Sequence, residues 1–347
     1  MTVARAIQVN IDNTPYYHCV SRCVRRAFLC GQDYQTGKSF DHRKDWVINR
    51  IKHLASIYCI EISAYAIMSN HFHLVVFIDR ERALSLTEQE VYTQWGLLCP
   101  QDADKYQGLD FNEPIMQAKL QYWRAQLWEI GSFMKRLNEY IAKLANAEDD
   151  CKGRFWEGRF KTYALLDECA ILSAMAYVDL NPIRAGIAKT PETSEFTSIY
   201  ERIQYVAKQR KSVQANKSEK IKPEALKSCD TLKQPYRLMP FLNNRDPKKC
   251  TSPFINFKLS DYLLLVDMTG RILHEDKKGK IPESCVNILT RLNFTTEGWF
   301  DMVKNMETSF SFAIGSPVLL SAFGAERRSG SPKGISAARR IYLSKAA

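Results

Sequence analysis

No stretch of this 347-residue chain is apolar for long enough to cross a bilayer. The longest runs, such as His73–Ile78 and Tyr262–Val266, fall far short of the roughly 20 residues that a spanning helix needs. The opening MTVARAIQVN has no uninterrupted apolar core of a signal peptide, so no secretory leader is expected and a cytoplasmic setting is the default. None of the ten cysteines forms a Cys-x-x-Cys pair. Without a leader, their even number implies no disulfide framework, and most are expected to be reduced core residues. A zinc site from Cys19, Cys23 and a distant histidine is the competing reading. No internal repeat is present. Apolar residues make up 45% and charged residues 25% of the chain, which excludes collagen, coiled coil and wholesale disorder.

The first 200 residues also lack a net positive charge. Residues 1–200 carry 23 Lys/Arg and 24 Asp/Glu, net −1, whereas residues 201–347 carry 26 and 14, net +12. The whole excess therefore lies in the second part. Binding to a polyanion is one reading of that asymmetry; an inert basic linker is the other.

What is there begins with alternating and helical patterns. Tyr16–Val24 is rich in aromatic and branched residues and reads as a strand. Lys38–Tyr58 has apolar residues near helical spacing. Cys59–Met68 and His71–Ile78 read as strands joined at a tight Ser69-Asn70 turn. Gln126–Ala147 is an amphipathic helix, and Arg154–Leu165 reads as a fourth strand. Asp167 caps a helix from Glu168 to about Leu180, which Asn181-Pro182 ends or kinks. This order is that of a split βαβ, ferredoxin-like sheet with an added helix. The expected class is α+β, an antiparallel sheet with helices on one face. Residues 84–122, acidic and Gln-rich, form a largely helical insertion within a first domain, 1–205. Residues 208–249 hold twelve Lys/Arg against four Asp/Glu. They read as an exposed basic linker, placed at 206–249. Residues 250–347 form a small, mostly α module with a basic tail.

Three stretches carry chemistry. In Asn70-His71-Phe72-His73, histidines at i and i+2 on a strand point to one face and together suit one divalent metal, while Phe72 points into the core. The competing reading is one buried, hydrogen-bonded histidine and one incidental. Tyr177 and Asn181 are four apart and share a helix face, although helix tyrosines usually pack. In Gly153–Lys161, basic and aromatic residues interleave. Arg154, Trp156, Arg159 and Lys161 suit phosphate contacts and base stacking, with Arg22, Arg25 and Arg26 nearby if the first strand is central. An edge strand with solvated charges is the alternative.

Taken together, MSNHFHLVV (68–76), GRFWEGRFKTYALLDECAILSAMAYVDLNPIRAG (153–186) and MKRLNEYIAKLANAE (134–148) resemble the REP-associated tyrosine transposases. These are single-tyrosine enzymes with a His-hydrophobic-His (HUH) motif, and the likeness is to a longer subgroup with a C-terminal extension. The resemblance covers roughly residues 10–190. It implies an RNA-recognition-like variant of the ferredoxin-like sheet. It makes His71 and His73 metal ligands for Mg²⁺ or Mn²⁺ and Tyr177 the nucleophile. Asn181 stands at the position of a third ligand, which is glutamine in some relatives. It also implies a DNA transposase, a strand-transfer endonuclease that cuts single-stranded DNA at hairpin-forming repeats through a 5′-phosphotyrosine link. Arg184, in the same matched stretch, joins the DNA-binding candidates. The competing function is a catalytically weak or silent, sequence-specific DNA-binding protein. A zinc hydrolase lacks a third His, Asp or Glu at zincin spacing. A purely RNA-binding sheet would leave the histidine pair and Tyr177 without a purpose. No membrane partner is expected, and a monomer and a homodimer both stay open.

Overall fold

The computed structural model describes residues 8–24, 29–33, 37–215, 234–235, 237–275, 283–326 and 333–342. Four strands assemble first: β1 (Tyr16–Arg22), β2 (Ile60–Ile67), β3 (His71–Ile78) and β4 (Lys161–Leu165). Their order in the sheet is β2-β3-β1-β4, antiparallel throughout, with a short β5 (Ala313–Ile314) added parallel to β4. The class is α+β, and the order is the one that a split βαβ pattern produces. Arg22 pairs with His71 and Val20 with His73. Paired residues share a face, so His18, Val20, Arg22, His71 and His73 line one side of the sheet. Cys19, Ser21, Phe72 and Leu74 line the other.

The helices were expected on one face and cover both. Helix α1 (Arg43–Ala55) buries Val47, Ile51 and Leu54. Between β3 and β4 come α2 (Arg80–Ser85), α3 (Glu88–Leu98), α4 (Pro100–Asp104), α5 (Pro114–Trp128) and α6 (Ile130–Glu148). Helix α6 lies on the Ser21 side, where Asn138 Nδ2 donates to Ser21 Oγ at 2.9 Å. Helix α7 (Glu168–Asp179) and the short α8 (Asn181–Arg184) lie on the histidine side. The sequence carries the reason. HFHLVVFI in β3 is nearly continuous in apolar residues and buried over most of its length, the signature of a strand covered on both faces.

The insertion has its own small core of Ile57, Val91, Trp95, Met116, Leu120, Trp123 and Leu127. Asp102 holds it at one point by accepting from Trp95 Nε1 at 2.9 Å and Trp123 Nε1 at 3.1 Å. Strand β4 is shorter than the expected Arg154–Leu165. Residues 154–160 run beside the end of β1 and the two residues after it through an isolated Cys23–Trp156 bridge and through Val24 N to Phe155 O and Glu157 N to Arg22 O, each 2.9 Å. Gly153 precedes that irregular stretch and Gly158 lies within it.

The remaining helices are α9 (Ser198–Ala215), α10 (Leu259–Glu275), α11 (Glu283–Arg291), α12 (Thr296–Ser309), α13 (Pro317–Glu326) and α14 (Ile335–Ile341). Two parts of the expected exposed linker behave otherwise. Residues 208–215 continue α9, and Leu238, Met239, Phe241 and Leu242 are buried. Met239 N donates to Ile62 O at 2.7 Å. A few large apolar side chains outweigh the local charge there; residues 216–233 lie outside the described residues. One continuous core runs from Tyr17 of β1 to Tyr342 after α14. No described helix is long and apolar enough to cross a membrane.

Helix α7 is tied to the C-terminal part at both ends. At its start Asp167 caps Ala170 N at 2.7 Å and also accepts from Ser316 N at 2.8 Å and the Tyr342 hydroxyl at 3.1 Å. At its end the fully buried Asp179 accepts from Ser198 Oγ, from Ile199 N at 2.9 Å and from the Tyr262 hydroxyl at 2.6 Å. Burial pushes the Asp179 carboxyl up to about 6 against these donors. Tyr262→Phe removes one donor from a buried carboxyl and is expected to cost about 1.5–3 kcal/mol. Urea unfolding of the two proteins measures it; a change below ~0.5 kcal/mol would mean that Asp179 does not lean on Tyr262.

Candidate active site

The site begins at a two-residue hairpin. Met68 N donates to His71 O at 2.8 Å, which closes the Ser69-Asn70 turn and starts β3 at His71. Cys23 N and Cys30 N then donate to Asn70 O at 2.9 Å and Ser69 O at 3.0 Å. Those two bonds pin the hairpin tip to the end of β1 and to the segment after it. The register this fixes sends His71 and His73 to the α7 side. Their rings lie 4.7 Å apart and nearly perpendicular. His71 is half-buried, with Nδ1 at 2.6 Å from Asn70 Oδ1.

Asn181 opens α8, directly beyond α7, because Pro182 cannot continue the α7 hydrogen-bond ladder. Its amide nitrogen lies 2.8 Å from His73 Nε2, and it is buried. Tyr177, one turn earlier, has its ring 5.7 Å from that of His73. The structure thus brings Tyr177, His71, His73 and Asn181 into one place, from β3 and from α7 and α8, with Tyr177 more than 100 residues on from His73 in the chain. Tyr177 is only 7% exposed. Arg184 lies over its ring, 3.7 Å from the centroid, and donates to Val303 O and Lys304 O of α12 at 3.3 Å each.

Two residues at the site went unnoticed in the sequence. His18 of β1 is fully buried, with Nε2 at 3.0 Å from His73 Nδ1. Glu307 of α12 has a carboxylate oxygen 3.6 Å from the same Nδ1. His18, His73 and Glu307 offer three ligand atoms within 4.8 Å of one another. His18 had a faint signal, an imidazole at an alternate position of a strand, but only the β1–β3 register shows that it faces His73. Glu307 had none, since it lies 234 positions from His73. The alternative zinc site at Cys19 and Cys23 does not form. Cys19 faces the other side of the sheet, Cys23 Sγ donates to Asn70 O at 3.2 Å, and the metal-competent group among the described residues contains no cysteine.

Electrostatics keep the three imidazoles neutral. Burial, then Arg184 and His71, push His18 down to about 3. Burial, then Arg22 and Arg184, push His71 down to about 4. His73 is lowered well below its ordinary value, by burial first and then by His18. Neutral imidazole is the form that ligates metal. Burial raises the Tyr177 phenol, Arg184 opposes that, and Glu307 adds to it. His71, His73 and Asn181 offer two neutral imidazoles and one amide that carries an oxygen as well as a nitrogen, donor types that a divalent ion accepts; in this arrangement the amide nitrogen faces His73 Nε2.

The basic candidates divide. Arg22, Arg154, Arg159 and Lys161 are exposed, and Arg22 and Lys161 share the histidine face through their pairing with His71 and Val20. Arg184 is instead spent on Tyr177 and on α12. Trp156 is no free stacking platform. Its indole nitrogen donates to Asn138 O at 2.8 Å and its ring meets Phe72 on the opposite face, which corrects that expectation. Arg25 and Arg26 lie outside the described residues.

No family model matches the chain, and no curated protein matches it. A solved structure described as "Structure of the REP associates tyrosine transposase bound to a REP hairpin" aligns at 11% identity, covering 55% of this chain and 81% of that one, with a TM-score of 0.34. A likeness of that degree supports no assignment of function.

The buried histidines make stability depend on pH. His18 binds its proton near pH 6.5 when unfolded and only near 3 when folded, so between those values the unfolded chain holds more protons. With a chelator present, its contribution is complete above pH 6.5. It falls by up to about 1.4 kcal/mol per pH unit below that. Urea midpoints at pH 7.5 and 5.5 are expected to drop in the wild type and to drop less in His18→Gln; equal slopes would remove His18 from the effect.

Proposed function

We propose that this protein is a DNA strand-transferase, a single-stranded DNA endonuclease of the tyrosine transposase kind, with Tyr177 as its nucleophile. The observation that supports the reading is the meeting of Tyr177, His71, His73 and Asn181 on one face of the sheet. Separate elements contribute these residues, and each is of the type that the chemistry needs. His71, His73 and Asn181 would hold Mg²⁺ or Mn²⁺, and the imidazole donors favour Mn²⁺ at least equally. The bound ion supplies Lewis-acid polarisation of a phosphate oxygen.

The chain's own residues do the rest. Tyr177 Oη forms a bond to phosphorus, and the bond to the 3′-oxygen breaks. The phenol gives up its proton and the leaving 3′-oxygen takes one up, so no net proton is gained or lost, and the 5′-phosphate stays on the tyrosine. The new ester preserves the energy of the old one, so a later 3′-hydroxyl can reverse the step. Arg184 over the ring favours the phenolate form that attacks. Arg22, beside His71, with Lys161, Arg154 and Arg159, gives the strand's phosphates a basic margin. Hairpin-forming repeats in single-stranded DNA are the proposed substrate.

One feature favours a second reading, a silent DNA-binding protein. Tyr177 is 7% exposed, with Arg184 over its ring and held to α12, so little of the side chain is open to a phosphodiester in this arrangement. A binding protein needs no access to that residue, whereas an enzyme does.

A denaturing gel tests the reading. Wild type and Tyr177→Phe are incubated with circular single-stranded DNA that carries inverted repeats, in Mg²⁺, Mn²⁺ or chelator. A metal-dependent covalent adduct is expected in the wild type and none in Tyr177→Phe. The variant is expected to bind the same DNA within about three-fold, since phosphate contacts dominate affinity. Tight binding by both proteins with no adduct from either would leave the silent binder standing.

A further inference from the structure

We propose that His18, His73 and Glu307 form a divalent transition-metal site that ties the C-terminal helix α12 to the central sheet. The ligands come from β1, β3 and α12, and their donor atoms lie within 4.8 Å of one another. This is a different set from His71, His73 and Asn181, and it uses the other edge of the His73 ring. His73 Nε2 faces Asn181, whereas Nδ1 faces His18 and Glu307.

Two observations point to a cation. Glu307 Oε1 is buried and has no hydrogen-bond partner; the neutral His73 ring stands with Nδ1 3.6 Å away, beyond hydrogen-bond reach. A carboxylate oxygen removed from water without a donor is costly, and an ion held among the three side chains would satisfy it. The second is the 3.0 Å separation of His18 Nε2 from His73 Nδ1, a hydrogen bond when no ion lies between them. Neighbouring ligands on metal–nitrogen bonds of about 2.0–2.1 Å stand roughly 2.9–3.4 Å apart, so the two imidazoles already have the spacing of a shared ion. The Glu307 side chain closes the remaining gap by turning about its own torsions.

The donor set names the class of ion. Two imidazoles and one carboxylate suit Zn²⁺, Co²⁺ or Mn²⁺, whereas Mg²⁺ seeks oxygen and keeps its water. Three protein ligands also leave a fourth position open. A neutral imidazole has a single lone pair, so His73 serves this set or the Asn181 set, one at a time. The site requires no DNA cleavage and stands or falls apart from the proposed reaction.

The test is metal binding by the full chain. Wild type, Glu307→Gln, His18→Gln and Asn181→Ala are stripped with chelator and titrated with Zn²⁺, with Mg²⁺ as a control. Calorimetry and thermal melting are the readouts, and circular dichroism checks each fold. Thiols such as the exposed Cys151 are common to all four proteins, so only differences among them count. Zn²⁺ is expected to raise the wild-type melting temperature while Mg²⁺ at equal concentration does not. Zn²⁺ affinity is expected to fall most in Glu307→Gln and His18→Gln, by at least ten-fold beyond any loss in Asn181→Ala, which keeps all three ligands and removes only the partner of His73 Nε2. Wild-type affinity in Glu307→Gln, a loss confined to Asn181→Ala, or no zinc binding by the wild type would each overturn the site. Should Glu307→Gln misfold, cobalt decides. The Co²⁺-loaded wild type is expected to show visible d–d bands that Asn181→Ala retains, and missing bands, or their loss in Asn181→Ala, would overturn it.

Discussion

The fully buried ring of His73 is the point to which the rest of the site refers. Both of its nitrogens are committed, Nδ1 to His18 and Glu307 and Nε2 to Asn181. A polar ring in a close-packed interior is tolerated only when its neighbours supply partners. That demand fixes what must stand around it. A second imidazole comes from the next strand, an amide from the turn after α7, and a carboxylate from a helix near the end of the chain. Proton accounting follows the same ring. An amide N–H donated to Nε2 leaves the proton on Nδ1, to be given to His18. A cation on either side would claim a lone pair and reset that arrangement.

The second constraint is that α7 cannot be placed without the C-terminal part. Its cap Asp167 and its last residue Asp179 both carry bonds to residues beyond 250, and Cys169 Sγ donates to Leu292 O at 2.6 Å. Strand β5 extends the sheet beside β4, where Gly315 approaches Leu166 so closely that an added Cβ would sit 2.9 Å from the leucine Cβ. The C-terminal residues therefore complete the core that holds Tyr177, and they also cover it. Positioning and access are coupled through α12, which supplies Glu307 and the carbonyls that hold Arg184.

Much of the fold was legible in the sequence because it rests on local periodicity. The strands around His18, Tyr65 and His73, the amphipathic α6 and the Asp167-capped α7 are each set by side chains within a few residues of one another. The pairing of His71 with His73 and of Tyr177 with Asn181 is local too, one by the two-residue repeat of a strand and one by a helical turn. The errors were also physical. Residues 154–160 have strand composition, yet they do not join a regular ladder. The stretch 238–242 lies in a basic segment, and its few apolar residues are buried all the same. The continuous apolar run of β3 was a sign of two covered faces rather than one.

The sequence by itself determined which elements form, their α+β class, and the two local residue pairs, because hydrophobic periodicity and capping act over one turn or one hairpin. Only the tertiary structure decided that His18 lies against His73, that Glu307 reaches the same ring, that Arg184 lies over Tyr177, and that Trp156 turns into the core. Those outcomes depend on strand register and on helix packing between segments up to about 290 residues apart. Register is a property of pairs of strands and packing a property of surfaces, and neither is written at any single position of the chain.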